Sequence, residues 1–146
     1  MRVTPAAPMP VVDDIAGLRR VLAQAKTIAV VGLSAHWYRP SYFAAKYMQD
    51  HGYRIVPVNP GCTEILCERC YPSIASVPGP VDIVDVFRRS DQCAEPAREA
   101  VATGARCLWL QLGIASREAG LIATAAGLAV VMNRCLAVEA MRPFAG

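Results

Sequence analysis

The run Thr27-Ile-Ala-Val-Val-Gly32 is continuously apolar and ends on a glycine. A run of this kind is typical of a strand that is buried on both faces of a parallel sheet. Residues 12–25 before it and residues 41–51 after it repeat apolar residues at three- or four-residue intervals, which predicts two helices. Gly52 stands where a left-handed residue would end the second helix. This part of the chain is therefore predicted to be a strand between two helices.

The same alternation continues along the chain. Apolar strand patterns recur over residues 53–58, 81–87, 107–111 and 128–132, and helical patterns over residues 91–103 and 116–126. Ser90 or Asp91 is the expected cap of the first of these helices, and residues 59–80, with four prolines after Asn59, are expected to be irregular. We predict an α/β fold class: a single doubly wound Rossmann-like domain with a mainly parallel sheet of about five strands and flanking helices.

Length and composition limit the classes of protein that fit. The 146 residues are 54% hydrophobic and carry a formal net charge of +3. They suffice for one domain with its own core, predicted over residues 12–146 after a flexible N-terminal arm over residues 1–11. No apolar run approaches the roughly 18 residues of a membrane span, and no lysine-rich stripe favours nucleic acid. Six cysteines without a signal-peptide core indicate reduced thiols, so we expect a cytoplasmic protein that binds neither membrane nor nucleic acid.

Small, polar or cationic residues follow each predicted strand. The five strand ends are Gly32-Leu33-Ser34, Val58-Asn59-Pro60, Phe87-Arg88-Arg89-Ser90, Gln111-Leu112-Gly113 and Asn133-Arg134-Cys135. Doubly wound sheets bind ligands beyond the carboxyl ends of their strands. Arginines beside amides there indicate an anionic ligand with polar edges, although surface loops are polar without a ligand too. Asp85 is expected to orient Arg88 or Arg89. Arg134 is expected to lie near the ligand edge as well.

The turn after the first strand departs from the dinucleotide-binding fingerprint. It has the single glycine Gly32 where that fingerprint has three, and no acidic residue follows the second strand to hold a ribose hydroxyl, so NAD is disfavoured. Instead, Arg39 precedes a helix that begins at Pro40 and Ser41. A phosphate there would meet free backbone N–H groups, the helix dipole, the Ser41 hydroxyl and the guanidinium. The alternative is that Ser41 only caps the helix and that Arg39 is only solvated.

Several runs of the sequence, in this order and spacing, resemble one family. They are Ile28-Ala-Val-Val-Gly-Leu-Ser34, Arg39-Pro-Ser-Tyr42, Gly52-Tyr-Arg-Ile-Val-Pro-Val-Asn-Pro60, Cys70-Tyr-Pro-Ser73, Val81-Asp-Ile-Val-Asp-Val-Phe-Arg-Arg-Ser90 and Trp109-Leu-Gln-Leu-Gly113. They resemble the stand-alone bacterial CoA-binding proteins, which are small Rossmann-like domains related to the CoA-binding domain of the succinyl-CoA synthetase alpha subunit. The resemblance covers about residues 12–140 and implies that coenzyme A or an acyl-CoA binds across the strand ends.

The resemblance also implies where the parts of CoA lie. The phosphates would lie against Ser34, Arg39 and Ser41. The adenosine would lie beside the end of the second strand, and the pyrophosphate and pantetheine along the ends of the third and fourth strands. At the end of the fifth strand only Asn133 is shared with the glycine-proline-asparagine turn of the synthetase. The implied cofactor-binding residues are Gly32, Leu33, Ser34, Arg39, Ser41, Asn59, Pro60, Phe87, Arg88, Arg89, Gln111, Gly113 and Asn133.

No catalytic constellation is evident in the sequence. His36 could touch the ligand, but its spacing identifies no partner carboxylate, and a helix dipole explains His51. The synthetase needs a phosphate-carrying histidine from a second domain, and the chain ends at Gly146 before such a domain. We therefore expect a carrier, sensor or sequestering protein that binds CoA or an acyl-CoA without catalysis of its own. The alternative is a CoA-binding component of an acyl-CoA ligase or transferase that a partner enzyme subunit completes.

The cysteines support two weaker hypotheses. Cys67-Glu-Arg-Cys70 is a C-x-x-C motif with Cys62 five residues before it. Zinc is disfavoured because a second pair is missing, and redox chemistry is disfavoured because the motif does not begin a helix. The cysteines are expected to be small thiols in or near the core. A third hypothesis for the function is a thiol regulator in which Cys135 forms a mixed disulfide with CoA.

Overall fold

Apolar runs along the chain form the strands of a central sheet. The computed structural model describes residues 10–142. Its strands are β1 (Thr27–Val31), β2 (Arg54–Val58), β3 (Glu64–Ile65), β4 (Glu68–Arg69), β5 (Ile83–Val86), β6 (Cys107–Leu110) and β7 (Ala129–Val131). Its helices are α1 (Ile15–Gln24), α2 (Pro40–Asp50), α3 (Ala94–Thr103), α4 (Arg117–Ala125) and α5 (Leu136–Met141). Short 3-10 turns lie at Ile74–Ser76 and Ser90–Gln92.

Five of the strands pair in parallel in the order β2-β1-β5-β6-β7. The chain first adds β2 to one side of β1 and later adds β5 to the other side. The direction in which strands are added therefore reverses between β1 and β5, and such a reversal leaves a crevice at the carboxyl ends of these two strands. This is the doubly wound, Rossmann-like α/β fold that the sequence predicts, and over residues 10–142 its main sheet has five strands.

Helices cover both faces of the sheet. Leu18 of α1, Met48 of α2 and Leu136 of α5 share one hydrophobic core, and Ala97 of α3 and Ala119 of α4 belong to the other. Because each face packs against helices, the strands are mostly apolar. The third strand of the sheet in chain order, β5, is accordingly buried at all four positions.

The ends of β1 and β5 are in close contact at the crevice. Gly32 has a φ of 83°, a left-handed conformation that glycine adopts without steric cost. Its N–H donates to the carbonyl of Val58 at 3.0 Å. A Cβ atom on residue 32 would lie 2.5 Å from the carbonyl oxygen of Phe87. Glycine is therefore required where the ends of β2, β1 and β5 meet.

The helix predicted over residues 91–103 begins later than expected. Ser90–Gln92 form a 3-10 turn, and α3 begins after Cys93, which makes no side-chain cap. The Ser90 hydroxyl instead accepts a hydrogen bond from the N–H of Ala115 at 3.1 Å. The predicted cap was therefore wrong, because the Ser90 side chain is bound to the loop that follows β6.

Residues 59–80, which were expected to be irregular, contain a hairpin of β3 and β4. Its turn residues Leu66 and Cys67 have φ values of 55° and 61°, where glycine or asparagine is usual. The buried side chain of Ile65 and a hydrogen bond of 3.0 Å from Gln49 Nε2 to the carbonyl of Leu66 hold the turn. The sequence prediction also missed α5, because its six residues are too few for a helical period to show.

The predicted N-terminal arm, residues 1–11, falls almost wholly outside the described residues. The N–H of Val12 donates to the carbonyl of Val130 at 2.8 Å, which attaches this part of the chain to the edge strand β7. The domain boundary at residue 12 stays a prediction. Within residues 10–142, no helix has the length and apolar character needed to cross a membrane.

Replacing Gly32 with alanine tests the contact between β1 and β5. The methyl group would meet the carbonyl oxygen of Phe87, and alanine would be held at a left-handed φ, so we expect Gly32→Ala to lower the free energy of unfolding by about 2–5 kcal/mol. Gly127→Ala is the matched control, since Gly127 has a φ of 86° and its Cβ position has no atom within 4 Å. It should cost only about 1–2 kcal/mol. Urea unfolding measures both variants, and equal losses would contradict the contact.

Candidate functional site

Two neighbouring cavities lie at the carboxyl end of the sheet. The basic cavity has a volume of about 340 Å³ and is lined by Gly32, Ser34, His36, Arg39, Pro40, Ser41 and Phe87. The mixed cavity has a volume of about 230 Å³ and is lined by Val31, Val58, Pro72, Ser73, Arg88, Gln92, Glu95, Pro96 and Glu99. The two cavities take consecutive residues from the ends of β1 and β5, so they adjoin at the crevice between these strands.

The start of α2 forms one wall of the basic cavity. Arg39 has an extended backbone, and Pro40 occupies the first turn of the helix, where its missing N–H costs no hydrogen bond. The buried Ser41 hydroxyl accepts a hydrogen bond of 3.0 Å from the N–H of Ser34. This bond ties the turn after β1 to the helix. The N-terminal end of α2, with the N–H of Ser41 and the positive end of the helix dipole, thus borders the cavity.

The basic cavity has an excess of positive charge. Among the described residues that line it, none is acidic. Arg39 forms no ion pair within residues 10–142, and its guanidinium carbon lies 5.9 Å from the centroid of the Tyr38 ring. The His36 ring stacks on the same tyrosine, with the ring centroids 5.4 Å apart. A guanidinium without an acidic partner beside a helix N-terminus is chemically suited to a phosphate.

The mixed cavity combines apolar walls with charges of both signs. Val31 and Val58 are buried at the ends of β1 and β2. Arg88 is exposed and has no ion pair in the part of the chain that the structure describes. Glu95 and Glu99 are one helical turn apart on α3, and burial, followed by the charge of Glu95, raises the pKa of the Glu99 carboxyl. This set of groups can accept hydrogen bonds from a polar ring and pair with one anion.

Asn59, a predicted ligand residue, braces the loops that follow β1 and β2. Its Nδ2 donates to the carbonyl of Leu33 at 2.9 Å, and its Oδ1 accepts from the N–H of Gly61 at 2.8 Å. The Leu33 side chain is fully buried, so Leu33 can offer a ligand only its backbone. Pro60 is exposed beside Asn59. Asn59 and Pro60 line neither cavity.

Two further arginines at the strand ends are already paired with acids. Arg89 is exposed, and its Nη2 lies 3.2 Å from Asp91 Oδ2. Arg134 pairs with both Asp13 and Glu139. Two carboxylates therefore hold the Arg134 guanidinium and balance its charge, and its place near the ligand edge stays a prediction.

Asp85 is buried in β5 and does not orient Arg88 or Arg89. Its carboxyl is 1% exposed, and its Oδ1 accepts a hydrogen bond of 2.6 Å from Gln111 Nε2. Burial raises the pKa of Asp85 to about 7, and the hydrogen bond from Gln111 acts in the opposite direction. Gln111, which was predicted as a ligand residue, is also buried, and its side-chain amide is used inside the protein.

Gln111, Gly113 and Asn133 belong to one loop network at the ends of β6 and β7. The N–H of Ile114 donates to the carbonyl of Gln111 at 2.8 Å, and the N–H of Gly113 donates to Asn133 Oδ1 at 2.7 Å. Asn133 has a φ of 56°, which asparagine tolerates better than most residues. The structure thus brings these three predicted residues together, but they line neither cavity.

The cysteines are free thiols. Cys62, Cys67 and Cys70 lie in and beside the hairpin, and burial raises the pKa of Cys70. Within residues 10–142, no group of three or more His, Cys, Asp or Glu side chains is arranged to hold a metal ion. Cys135 is half-buried and directly precedes α5.

Sequence reasoning missed the polar lining of the mixed cavity. Ser73 lies in a run that carries the family resemblance, but no ligand role was assigned to it. The spacing of Glu95 and Glu99 shows that they share a helix face. The sequence predicts that α3 begins at residue 91, three residues before its actual start. With the start misplaced, the face of α3 that borders the crevice could not be identified.

Comparisons with known proteins identify one family by a sequence model and several relatives by similarity. A sequence model of the family described as a CoA binding domain matches residues 26–141 of this chain. The uncharacterized protein YneT of Bacillus subtilis is 42% identical over 123 residues, which are 84% of this chain and 91% of YneT. Acetate–CoA ligase (ADP-forming) II of Archaeoglobus fulgidus is 36% identical over 66 residues, which are 44% of this chain and 10% of the ligase.

A solved structure has the same fold. The hypothetical protein from Pyrococcus horikoshii OT3 aligns with a TM-score of 0.85 and 34% sequence identity. The alignment covers 91% of this chain and 95% of that protein. This chain and the Pyrococcus protein therefore share one fold over most of their lengths.

The buried Asp85 carboxyl should make the stability of the protein depend on pH. Its pKa is about 7 in the folded protein and about 3.9 in an unfolded chain. The folded state therefore binds the proton more tightly than the unfolded chain. The free energy of unfolding falls as the pH rises from the unfolded pKa through the folded pKa, by on the order of 4 kcal/mol in all.

We expect Asp85→Asn, which cannot ionise, to show a much smaller change in the free energy of unfolding between pH 5 and pH 8 than the wild type. Denaturant titrations at several pH values measure this change. Asp50→Asn, at an exposed carboxyl, is the control and should behave like the wild type. Equal pH dependence in the wild type and Asp85→Asn would contradict the raised pKa.

Proposed function

The chain belongs to the CoA-binding domain family, and we propose that it binds coenzyme A or an acyl-CoA at the carboxyl ends of β1 and β5. The observation that carries this proposal is the basic cavity, where the Arg39 guanidinium and the N-terminal end of α2 meet at the crevice of the sheet. Both groups suit phosphate. CoA carries phosphate in its pyrophosphate and at the 3′ position of its ribose.

In this proposal the pyrophosphate lies in the basic cavity. The Arg39 guanidinium can bind two phosphate oxygens at once, and the N–H of Ser41 at the start of α2 can bind another. The Ser41 oxygen accepts from the N–H of Ser34, which leaves the hydroxyl proton free to donate to a phosphate. Gly32 places no side chain between the backbone and the ligand.

The adenosine 3′-phosphate would lie in the mixed cavity. Val58 offers an apolar contact to the adenine ring, and Glu95 and Glu99 are acceptors for its exocyclic amine. Arg88 is a cation without an ion pair among residues 10–142 and can pair with the 3′-phosphate. Asn59 directly follows Val58 and, together with the next residue, would border the ribose.

The pantetheine arm would leave the crevice along the ends of β5 and β6. Phe87 and Arg89 follow β5, and Gln111 and Gly113 follow β6. Asn133 holds the far side of this loop through Gly113. The arm carries no charge, and its amides can bond with exposed backbone groups of these loops.

We further propose that the protein carries, senses or sequesters its ligand without catalysis of its own. Support comes from the composition of the proposed site, whose polar groups are suited to binding phosphate and adenine. The six free thiols of the cysteines and a CoA-type ligand both fit a cytoplasmic protein.

The alternative is that the chain is the CoA-binding component of an acyl-CoA ligase or transferase that a partner enzyme subunit completes. The similarity to 66 residues of the Archaeoglobus ligase, which are 10% of that protein, supports this alternative. Co-purification with an ATP-grasp-like protein and acyl-CoA turnover by the mixture would favour it. A purified protein that binds CoA but gains no turnover from any co-purifying chain would count against it.

Calorimetry with CoA, dephospho-CoA, NAD and ATP tests the proposed ligand. We expect CoA to bind more tightly than NAD, and dephospho-CoA to bind more weakly than CoA because Arg88 loses its phosphate. Arg39→Ala should weaken CoA binding by about tenfold or more, since a charged hydrogen bond is lost.

The matched control for Arg39→Ala is Arg54→Ala. Arg54 is also exposed, but it begins β2 at the opposite end of the sheet. Its replacement should leave the dissociation constant for CoA unchanged. If CoA binds no better than NAD, the proposal is wrong, and if Arg39→Ala binds CoA like the wild type, Arg39 is not part of the site.

A further inference from the structure

Asp85 and Gln111 form a buried polar pair that lines neither cavity. Asp85 is 1% exposed and Gln111 is 3% exposed. The hydrogen bond of 2.6 Å from Gln111 Nε2 to Asp85 Oδ1 joins β5 to the residue that follows β6. The residues in register with Asp85 on the neighbouring strands are Val30 and Trp109, and both are fully buried. A carboxylate among such neighbours is costly unless a donor satisfies it.

The sheet itself does not require this pair. The other residues of β5 are apolar and buried, and replacing a buried polar pair with apolar side chains of similar size often leaves stability unchanged or raises it. A carboxyl group that is kept in such a strand at a cost in stability is typical of a position that serves function.

The pair fixes the loop that follows β6. Gln111 begins a turn in which the N–H of Ile114 donates to the Gln111 carbonyl at 2.8 Å. The N–H of Gly113 donates to Asn133 Oδ1 at 2.7 Å, and the N–H of Asn133 donates to the Ile114 carbonyl at 3.0 Å. Together with the bond from Gln111 to Asp85, these hydrogen bonds connect β5 through residues 111–114 to the end of β7. Asp85 lies at the buried end of this network.

This loop is uncharged, whereas the two cavities carry charges. Residues 111–114 contain no ionisable side chain, and Leu112 is 69% exposed. The end of β6 is two strands away from β1, which is about 10 Å at the usual spacing of strands. An extended neutral chain attached to a phosphate in the basic cavity can reach it.

We propose that Asp85 and Gln111 are positioning residues, which hold residues 111–114 so that this loop contacts the uncharged pantetheine arm of the ligand. The inference rests on the proposed binding of CoA. Neither side chain touches the ligand. Asp85 orients the Gln111 amide, and Gln111 fixes the start of the loop that the arm meets.

The test compares CoA with adenosine 3′,5′-bisphosphate, which has the nucleotide but lacks the arm. Gln111→Met removes the donor at a similar side-chain length. We expect it to weaken CoA binding about tenfold and to change the affinity for adenosine 3′,5′-bisphosphate by less than about twofold. Asp85→Asn keeps an acceptor for Gln111 and should keep CoA affinity within about threefold of the wild type. Calorimetry gives all of these constants.

A double variant, Asp85→Leu with Gln111→Met, guards against loss of folding because it leaves neither polar group stranded in the core. It should behave like Gln111→Met towards both ligands. Equal weakening of both ligands, or unchanged CoA affinity in Gln111→Met and the double variant, would overturn the inference while CoA binding by the wild type stands. A wild type that does not bind CoA would overturn the proposed function and this inference with it.

Discussion

The close approach of Gly32 to Phe87 is the constraint on which the ligand end of the sheet depends. With no side chain on residue 32, the backbones at the ends of β1 and β5 come together. The hydrogen bond from Gly32 to Val58 fixes the end of β2 to the same point. The start of α2 and the residues after β5 take their places around this contact. A side chain at residue 32 would clash with the backbone of Phe87 and separate the strand ends.

The fold could be predicted from the sequence because its signals are local. Each strand of the main sheet is mostly apolar and is followed by residues typical of turns, as expected where both sheet faces are buried. Ser34, Arg39 and Ser41 lie within eight residues of one another along a single connection between a strand and a helix. Local spacing was therefore enough to predict that they share a site, and with Gly32 they line one cavity.

Contacts between distant parts of the chain could not be predicted in this way. Ser90 precedes a helical pattern, but its hydroxyl accepts a hydrogen bond from the N–H of Ala115, which lies 25 residues later in the chain. Asp85 is close in sequence to arginines, yet its partner Gln111 is 26 residues away. Arg134 pairs with Asp13 across 121 residues. The order of strands in the sheet brings the partners of all three pairs together. Local sequence patterns do not reveal that order.

The hairpin of β3 and β4 has an unfavourable backbone conformation at its turn. Leu66 and Cys67 are left-handed at a cost of about 1–2 kcal/mol each, and the burial of Ile65 and the bond from Gln49 compensate from outside the turn. Opening the hairpin releases this strain, so its amide hydrogens should exchange with solvent sooner than those of the main sheet. Ser73, which lines the mixed cavity, lies a few residues after β4. This wall of the cavity therefore adjoins a hairpin whose conformation depends on contacts with other parts of the protein.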